Sequence, residues 1–411
     1  MGKINMKKPQ LLDLYNLILI RYSDEIWLKS MKVKMRMINQ LMQNIKNQLE
    51  DAQIKYHKYQ ASKDNSRIFF FFKNQDIPEA VKVLNQVFGI YSFSPALRTS
   101  DKIKNIIERS LEVGEKILEK GDSFALKVKR SGVHDYTSQD VARIVGKKVL
   151  DNFPHLDLKV NLSEPDKIIY IEVRDDFSYV FTEIIESDWS GLPIMARKKM
   201  LVMDIGRIND LLAALLLAKR GGKLFFLHFS IHSDSTNRNV NLKNLKILRE
   251  FFPFPELHIY RINLIEILQT TFEKIQYPKY TCALCRVIRF NLIEKFKRKM
   301  GREEVGNIRV IIDGLSLNND TYCADFVDLQ TLGLSSEFVD LPIFTPLIGL
   351  HKEDIGELLS KIPKKLKRFE YCQLKPKDQE FNTEEVQKLY NKLDLDKSLT
   401  NLLEDIEIIV L

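Results

Sequence analysis

From Lys199 onward the chain alternates strand and helix patterns, and this rhythm constrains its fold more than any other feature. Met200–Met203 is a short apolar strand that runs to Gly206, and a helix follows over Asn209–Arg220 until Gly221 and Gly222 stop it. Lys223–Phe229 is a second strand, Leu242–Phe251 a helix and Leu257–Ile262 a strand. Cys282–Lys299 is again helical, Ile308–Ile312 is a strand, and Phe338–Phe344 is a further strand candidate. A β-α-β-α order predicts a parallel sheet with helices on both faces.

The first half has a different pattern. Leu17–Ile20 is a short strand. In the helix Met31–Asp51 the apolar residues Met37, Leu41, Ile45 and Leu49 recur every four positions, as one buried face requires. Ile68–Phe72 is a strand, and Asp76–Phe88 is a helix ended by Gly89. Ile90–Ser94 is a strand and Ser100–Lys120 a helix. Ser123–Arg130 alternates like a half-buried strand, and Thr137–Phe153 is a helix with Thr137 or Ser138 as N-cap. Leu158–Leu162, Ile168–Arg174 and Phe177–Ile184 are three more strand candidates. The tail Glu380–Leu411 combines a charged helix with a final apolar run. Four segments follow: a small α/β module over 1–78, a second over 79–188, a linker over 189–198, and the parallel-sheet domain over 199–411.

Charge and cysteine content narrow the function. Lys plus Arg exceed Asp plus Glu by 63 to 55, a net charge of +8 that suits a polyanionic partner. No apolar run is long enough to cross a membrane, and Met1–Gln10 is polar and basic, so a cytoplasmic protein with no membrane association is expected. Four cysteines in a chain of 411 residues do not make a disulfide scaffold. Cys282 and Cys285 form Cys-x-x-Cys at a helix start, with Cys372 far downstream. Taken alone, the pair fits buried small residues, a zinc half-site, a dithiol or part of a cluster. Cys323 reads as a packing residue.

Several stretches in order resemble the tRNA 4-thiouridine synthetase family. Arg21-Tyr22, Glu25-Ile26 and Leu28-Lys29 resemble the start of its ferredoxin-like domain. Val87-Phe88-Gly89-Ile90, Ser92–Pro95, Phe124–Arg130, His134, Thr137-Ser138, Val141–Arg143 and Gly146 are similar to its THUMP domain. Gly191-Leu192-Pro193 resembles the join to a PP-loop ATPase domain, and Lys219–Gly221, His228-Phe229 and Pro346–Gly349 fit that domain. The resemblance implies an α/β multidomain chain: a ferredoxin-like module, a THUMP domain and a Rossmann-like PP-loop domain. It implies tRNA as partner, bound through Lys127, Lys129, Arg130, His134, Arg143, Lys147 and Lys148, with Lys29, Lys32 and Arg36 contributing from the first module. It places nucleotide contacts at Gly206, Arg207, His228, Phe229, Arg286 and Gly314. Archaeal members carry three cysteines that hold an iron–sulfur cluster, which implies that role for Cys282, Cys285 and Cys372. A homodimer, or pairing with an active paralogue, also follows from the family. The sulfur donor is not indicated.

The departures bear on ATP. The family's phosphate loop reads Ser-Gly-Gly-Ile-Asp-Ser-Pro, whereas this chain has Ile205-Gly206-Arg207-Ile208-Asn209-Asp210-Leu211. Such a loop works because small residues let several N–H groups converge on one anion. Arg207 narrows that approach, and Asp210 places a carboxylate where polyphosphate would sit. Two like charges about 4 Å apart at an effective dielectric near 20 repel by roughly 4 kcal/mol, about a thousandfold in affinity. A later loop, Asp313–Asn319, departs as well, and Thr345 replaces an Arg. Two functional expectations stand. One is a tRNA-binding member linked to thiolation of uridine 8 but impaired in adenylation by itself. The other is an active divergent sulfurtransferase that uses ATP and an iron–sulfur cluster.

Overall fold

A computed structural model of the chain describes residues 13–232, 235–275, 278–301, 304–317, 333, 335–368, 372–378 and 382–411. Cys323 lies outside the described residues. The chain forms two compact units that divide between Pro193 and Ile194.

The N-terminal unit is built on β1 (Leu17–Tyr22), α1 (Met31–Asp51), β2 (Lys58–Ala61), β3 (Ile68–Phe71), α2 (Ile77–Leu84) and β4 (Ile90–Ser100), a βαββαβ order. The break expected at 78/79 therefore falls inside α2, whose buried residues Ile77, Ala80, Val81 and Leu84 give it an apolar face. The remainder is α3 (Ile103–Ile117), β5 (Ser123–Ser131), α4 (Ser138–Asn152), β6 (Lys159–Val160), β7 (Lys167–Arg174), β8 (Phe177–Phe181) and β9 (Ile185–Glu186). Thr137 caps α4 through a reciprocal box: Asp140 N–H donates to Thr137 Oγ1 at 3.1 Å, and Thr137 N–H donates to Asp140 Oδ2 at 3.0 Å.

The strand order is β2-β3-β1-β4-β8-β7-β5-β6, with β9 against β4. β4 serves two masters along its length. Residues 90–96 pair with β1, and Leu97–Ser100 pair with β8. The sheet bends sharply along this strand, because Phe69 of β3 and Tyr179 of β8 stack with ring centroids 4.5 Å apart although two strands separate them in the order. Leu17, Leu19, Phe71, Ala96 and Phe181 complete this inner core. Deep beside it lies Glu172. Its carboxylate is 2.7 Å from Arg67 Nε, accepts from Arg174 Nε at 2.6 Å, and accepts from Arg21 at 3.3 Å. Burial alone would raise the Glu172 carboxyl, but the three guanidiniums override it and hold it below its usual value.

The C-terminal unit holds β10 (Met195–Asp204), α5 (Ile208–Ala218), β11 (Gly222–Ser230), α6 (Ser235–Arg249), β12 (His258–Asn263), α7 (Ile265–Glu273), α8 (Thr281–Lys299), β13 (Ile311–Asp313), β14 (Ile343–Phe344), α9 (Lys352–Ser360), α10 (Thr383–Lys392), α11 (Asp396–Leu402) and β15 (Glu407–Val410). The sheet order is β14-β13-β10-β11-β12-β15, parallel except for β15. Direction reverses at β10: β11 and β12 extend to one side and β13 to the other. That makes the crevice beyond the ends of β10 and β13 the topological switch point, where open α/β sheets place their sites. α5 is apolar nearly all round and buried, as a helix between sheet and neighbours must be.

Glu172→Ala is expected to lower stability by about 3–5 kcal/mol, because it strands buried guanidiniums. The Glu172 pairing stabilises fully above about pH 4.3 and is lost as pH falls through its lower folded value. Urea unfolding at pH 7 and pH 3 measures both, and the Glu172→Ala chain should lose less on acidification than the wild type.

Candidate functional site

The loop leaving β10 is shaped by its own carboxylates. Gly206 takes a left-handed φ of +92°, a turn that glycine makes without strain. Gly206 N–H donates to Asp204 Oδ1 at 2.7 Å, Ile205 N–H to Asp210 Oδ2 at 3.0 Å, and Arg207 N–H to the same oxygen at 3.3 Å. Three donors that could converge on an external anion are thus spent on two internal ones. Asp210 also receives Arg207 Nε at 3.0 Å and Nη2 at 2.6 Å, a fork on one carboxylate.

The chain of charge continues. Arg207 Nη2 donates to Asp313 Oδ1 at 3.2 Å, and Arg286 Nη2 donates to Asp313 Oδ2 at 2.5 Å. Arg286 Nε donates to Ser335 at 2.7 Å, while its Nη1 is buried with no hydrogen-bond partner among the described residues. All four charged side chains are at most 2% exposed. Burial would raise the Asp313 carboxyl, but Arg286 and then Arg207 hold it below its usual range. Burial would also raise Asp204, and His228 chiefly reverses it. His228 Nδ1 lies 2.8 Å from Asp204 Oδ2, and Asn241 Nδ2 donates to the same oxygen at 2.9 Å.

The structure therefore gathers Gly206, Arg207, Arg286 and Gly314, and ties His228 in through Asp204. Phe229 is elsewhere: it is wholly buried in the core on the other face of the sheet with Leu227-side neighbours Leu201, Met203 and Phe225. No part of its ring is open to stack on a base. The expected electrostatic conflict is also corrected. Asp210 does not project a bare charge into a vacant cradle; it turns inward onto Arg207, and burial outweighs that partner and raises its carboxyl above the usual range. Gly314 is a packing residue, since a Cβ there would lie 2.4 Å from Asp210 Oδ1 and 2.5 Å from Asp210 N. The sequence reading missed Asp204, Asn241 and Asp313. A signal existed in Asp204-x-Gly206 and Asp313-Gly314, each a carboxylate beside a glycine at a strand end.

Cys282 and Cys285 lie on the first turns of α8, and Cys285 and Cys372 pack against the same core cluster. No disulfide joins any of the three to another described cysteine. Among the described residues no group of three or more His, Cys, Asp or Glu side chains is gathered to hold a metal ion.

In the N-terminal unit the basic residues divide. Gly146 of α4 packs toward Leu126, where a Cβ would lie 3.5 Å from Leu126 Cδ1. Strand alternation then puts Lys127 and Lys129 on the opposite face of β5, both exposed. Arg143, Lys147 and Lys148 are exposed on α4, Arg143 paired to Asp140 at 3.3 Å. Arg130 donates to the Gly132 carbonyl at 3.0 Å. His134 Nε2 is 2.8 Å from the Asp175 carbonyl and stacks with Tyr136, so it fastens its loop to the turn between β7 and β8.

Family comparisons fall on these same units. The ThiI ferredoxin-like domain matches residues 17–94, the THUMP domain 100–183, and the family described as thiamine biosynthesis protein (ThiI) 196–395. A probable tRNA sulfurtransferase of Methanobrevibacter smithii is 31% identical over 85% of this chain and 86% of its own length. The chain belongs to the tRNA sulfurtransferase family. Another probable tRNA sulfurtransferase, from Saccharolobus islandicus, is 30% identical over 96% of this chain and 99% of its own. A solved 4-thiouridine synthetase, described in complex with RNA and ATP, shares the fold at a TM-score of 0.77 and 21% identity, covering 97% of this chain and all of the other. A Pyrococcus horikoshii protein, PH1313, shares it at 0.61 and 20% identity over 84% of this chain and 99% of its own length.

Gly314→Ala should destabilise the chain by about 1–3 kcal/mol through overpacking against the start of α5. Urea unfolding reads the loss, and an unchanged midpoint would show that the contact is not tight.

Proposed function

We propose that this member of the tRNA sulfurtransferase family binds tRNA, is linked to thiolation of uridine 8, and does not adenylate tRNA by itself. The observation that carries the reading is that the loop N–H groups of Ile205, Gly206 and Arg207 all donate to internal carboxylates. A triphosphate would have to displace those acceptors. The bonds it would gain to those N–H groups are offset by the bonds it breaks, and two buried carboxylates would lose their donors. Arg207 is no substitute ligand while its guanidinium is shared between Asp210 and Asp313. The exposed lysines of β5 and α4 supply phosphate contacts for tRNA. Their cations neutralise the backbone and give salt-dependent affinity, the ordinary basis of such binding.

A second reading is an active divergent synthetase, in which ATP activates the uridine oxygen and sulfur displaces AMP. Its support is the extent of likeness to proteins named as probable tRNA sulfurtransferases. The three cysteines belong to this reading. Thiolates are the right donors for an iron–sulfur cluster, which would supply sulfide handling, and Cys285 and Cys372 share one hydrophobic wall. With no metal-holding group among the described residues, no step is assigned to a cluster.

Incubation of the purified chain with ATP, tRNA and sulfide is expected to give neither AMP nor 4-thiouridine; tRNA-dependent AMP release, or 4-thiouridine at position 8, overturns the first reading. Calorimetric titration should show tRNA binding without ATP binding. The cluster has its own test. Protein purified without oxygen should carry iron and sulfide that are lost in Cys285→Ala or Cys372→Ala, and metal-free protein would leave these thiols as core residues.

A further inference from the structure

In the segment Lys361-Ile362-Pro363-Lys364-Lys365-Leu366-Lys367-Arg368 of the C-terminal unit, five of eight residues are cationic, and the nucleotide end does not use it. A charge run of this kind is usually a solvated face. Three features set this one apart. Its backbone is anchored, because Ile362 and Leu366 are buried. Asn244 of α6, itself fully buried, grips Lys367 from both sides: Nδ2 donates to the Lys367 carbonyl at 2.8 Å, and Lys367 N–H donates to Oδ1 at 2.9 Å. That grip brings the segment onto α6 beside Lys243 and Lys246, which flank Asn244 and are exposed.

Two acids near the segment are already engaged, Glu250 with Lys364 and Glu357 with Lys361. Lys243, Lys246, Lys365, Lys367 and Arg368 are exposed and make no ion pair among the described residues. Five unpaired cations on two fixed backbones form a surface of positive potential whose ordering entropy is largely met in the fold.

We propose that this surface is a second RNA-contact site, on the C-terminal unit, which takes phosphates of the RNA backbone; the proposal rests on the tRNA-binding reading above. The chemistry favours RNA over a lipid surface. Membrane-lying segments present apolar side chains beside their cations, and here the apolar Ile362 and Leu366 point inward. Lysines spread over two segments suit successive phosphates of a polymer better than one phosphoryl group held in an arginine fork. Arg368 is four residues from Cys372, within about 14 Å along even a fully extended chain, so bound phosphates would lie close to that thiol.

The test uses the full chain and unmodified tRNA, with affinity measured across a range of salt. The variant Lys365→Ala/Lys367→Ala/Arg368→Ala should bind at least tenfold more weakly at low salt. Its plot of log affinity against log salt should be shallower by about 2–3, close to 0.7–0.9 for each lost contact. The charge-keeping variant Lys365→Arg/Lys367→Arg/Arg368→Lys should retain both values, and thermal unfolding should be unchanged in each. A triple-alanine variant with wild-type affinity and slope overturns the site while wild-type binding upholds the general reading. Weak binding by the charge-keeping variant as well would mark the segment as structural and also overturn it. A wild-type chain that binds no tRNA overturns both.

Discussion

The fork between Arg207 and Asp210, extended through Asp313 to Arg286, is the interaction on which the C-terminal unit turns. It joins the start of α5, the end of β13 and the second turn of α8 at the place where the sheet's connectivity reverses. Buried ion pairs are costly to desolvate and seldom add much net stability over an apolar replacement. They are severe constraints all the same, since loss of one partner strands the next. Here each carboxylate meets at least one guanidinium, and Asp210 also takes two backbone N–H groups. The helix end that would otherwise draw an anion from solution is closed by a side chain of its own first turn. Gly314 follows from this closure, because only a residue without a Cβ lets β13 pass so near to Asp210.

The N-terminal unit uses the same chemistry with an excess of cations. Glu172 faces Arg21, Arg67 and Arg174, and Arg174 also reaches Asp64 at 2.9 Å. Three guanidiniums meet two carboxylates, and Asp64 is the more exposed of the two. The cluster ties β1, β3 and β7 together where the bent sheet closes on itself. Arg21 comes from the ferredoxin-like half and Glu172 from the THUMP half, so these halves share a polar clasp as well as the Phe69–Tyr179 stack.

What the sequence made legible was what periodicity and capping control. Helix α1 runs over the residues its four-residue spacing marked, and Thr137 caps α4 as its side chain allows. β4 was read as ending at Ser94, yet it continues through Pro95 to Ser100. The proline has no N–H to donate, and propensity alone argues against such a strand; β1 lies opposite Pro95, and the second partner, β8, holds Leu97–Ser100 extended. Helix α7 is missed although Ile265, Leu268 and Thr271 are buried at helical spacing, because so short a helix repeats that pattern over too few turns to be told from a loop. At the site, glycine and arginine positions could be aligned by resemblance, but the pairing of Asp204 with His228 and of Asp313 with two arginines is tertiary. Periodicity says nothing about which buried acid meets which base, and Phe229 shows the same limit, since one step along a strand sends a side chain to the other face.

That alternation also bears on how the basic residues of β5 and α4 can serve one RNA. Lys127 and Lys129 lie on the face of the sheet away from α4, which separates them from Arg143, Lys147 and Lys148. A single backbone cannot touch both faces in the middle of a sheet. β5, however, is next to the end of the strand order, and β6 pairs only with Ser123 and Phe124. From Ala125 to Ser131 one side of β5 faces no strand among the described residues, while the other pairs with β7. Charged side chains beside an unpaired edge discourage its pairing with another sheet. The short β6 is what leaves that edge open.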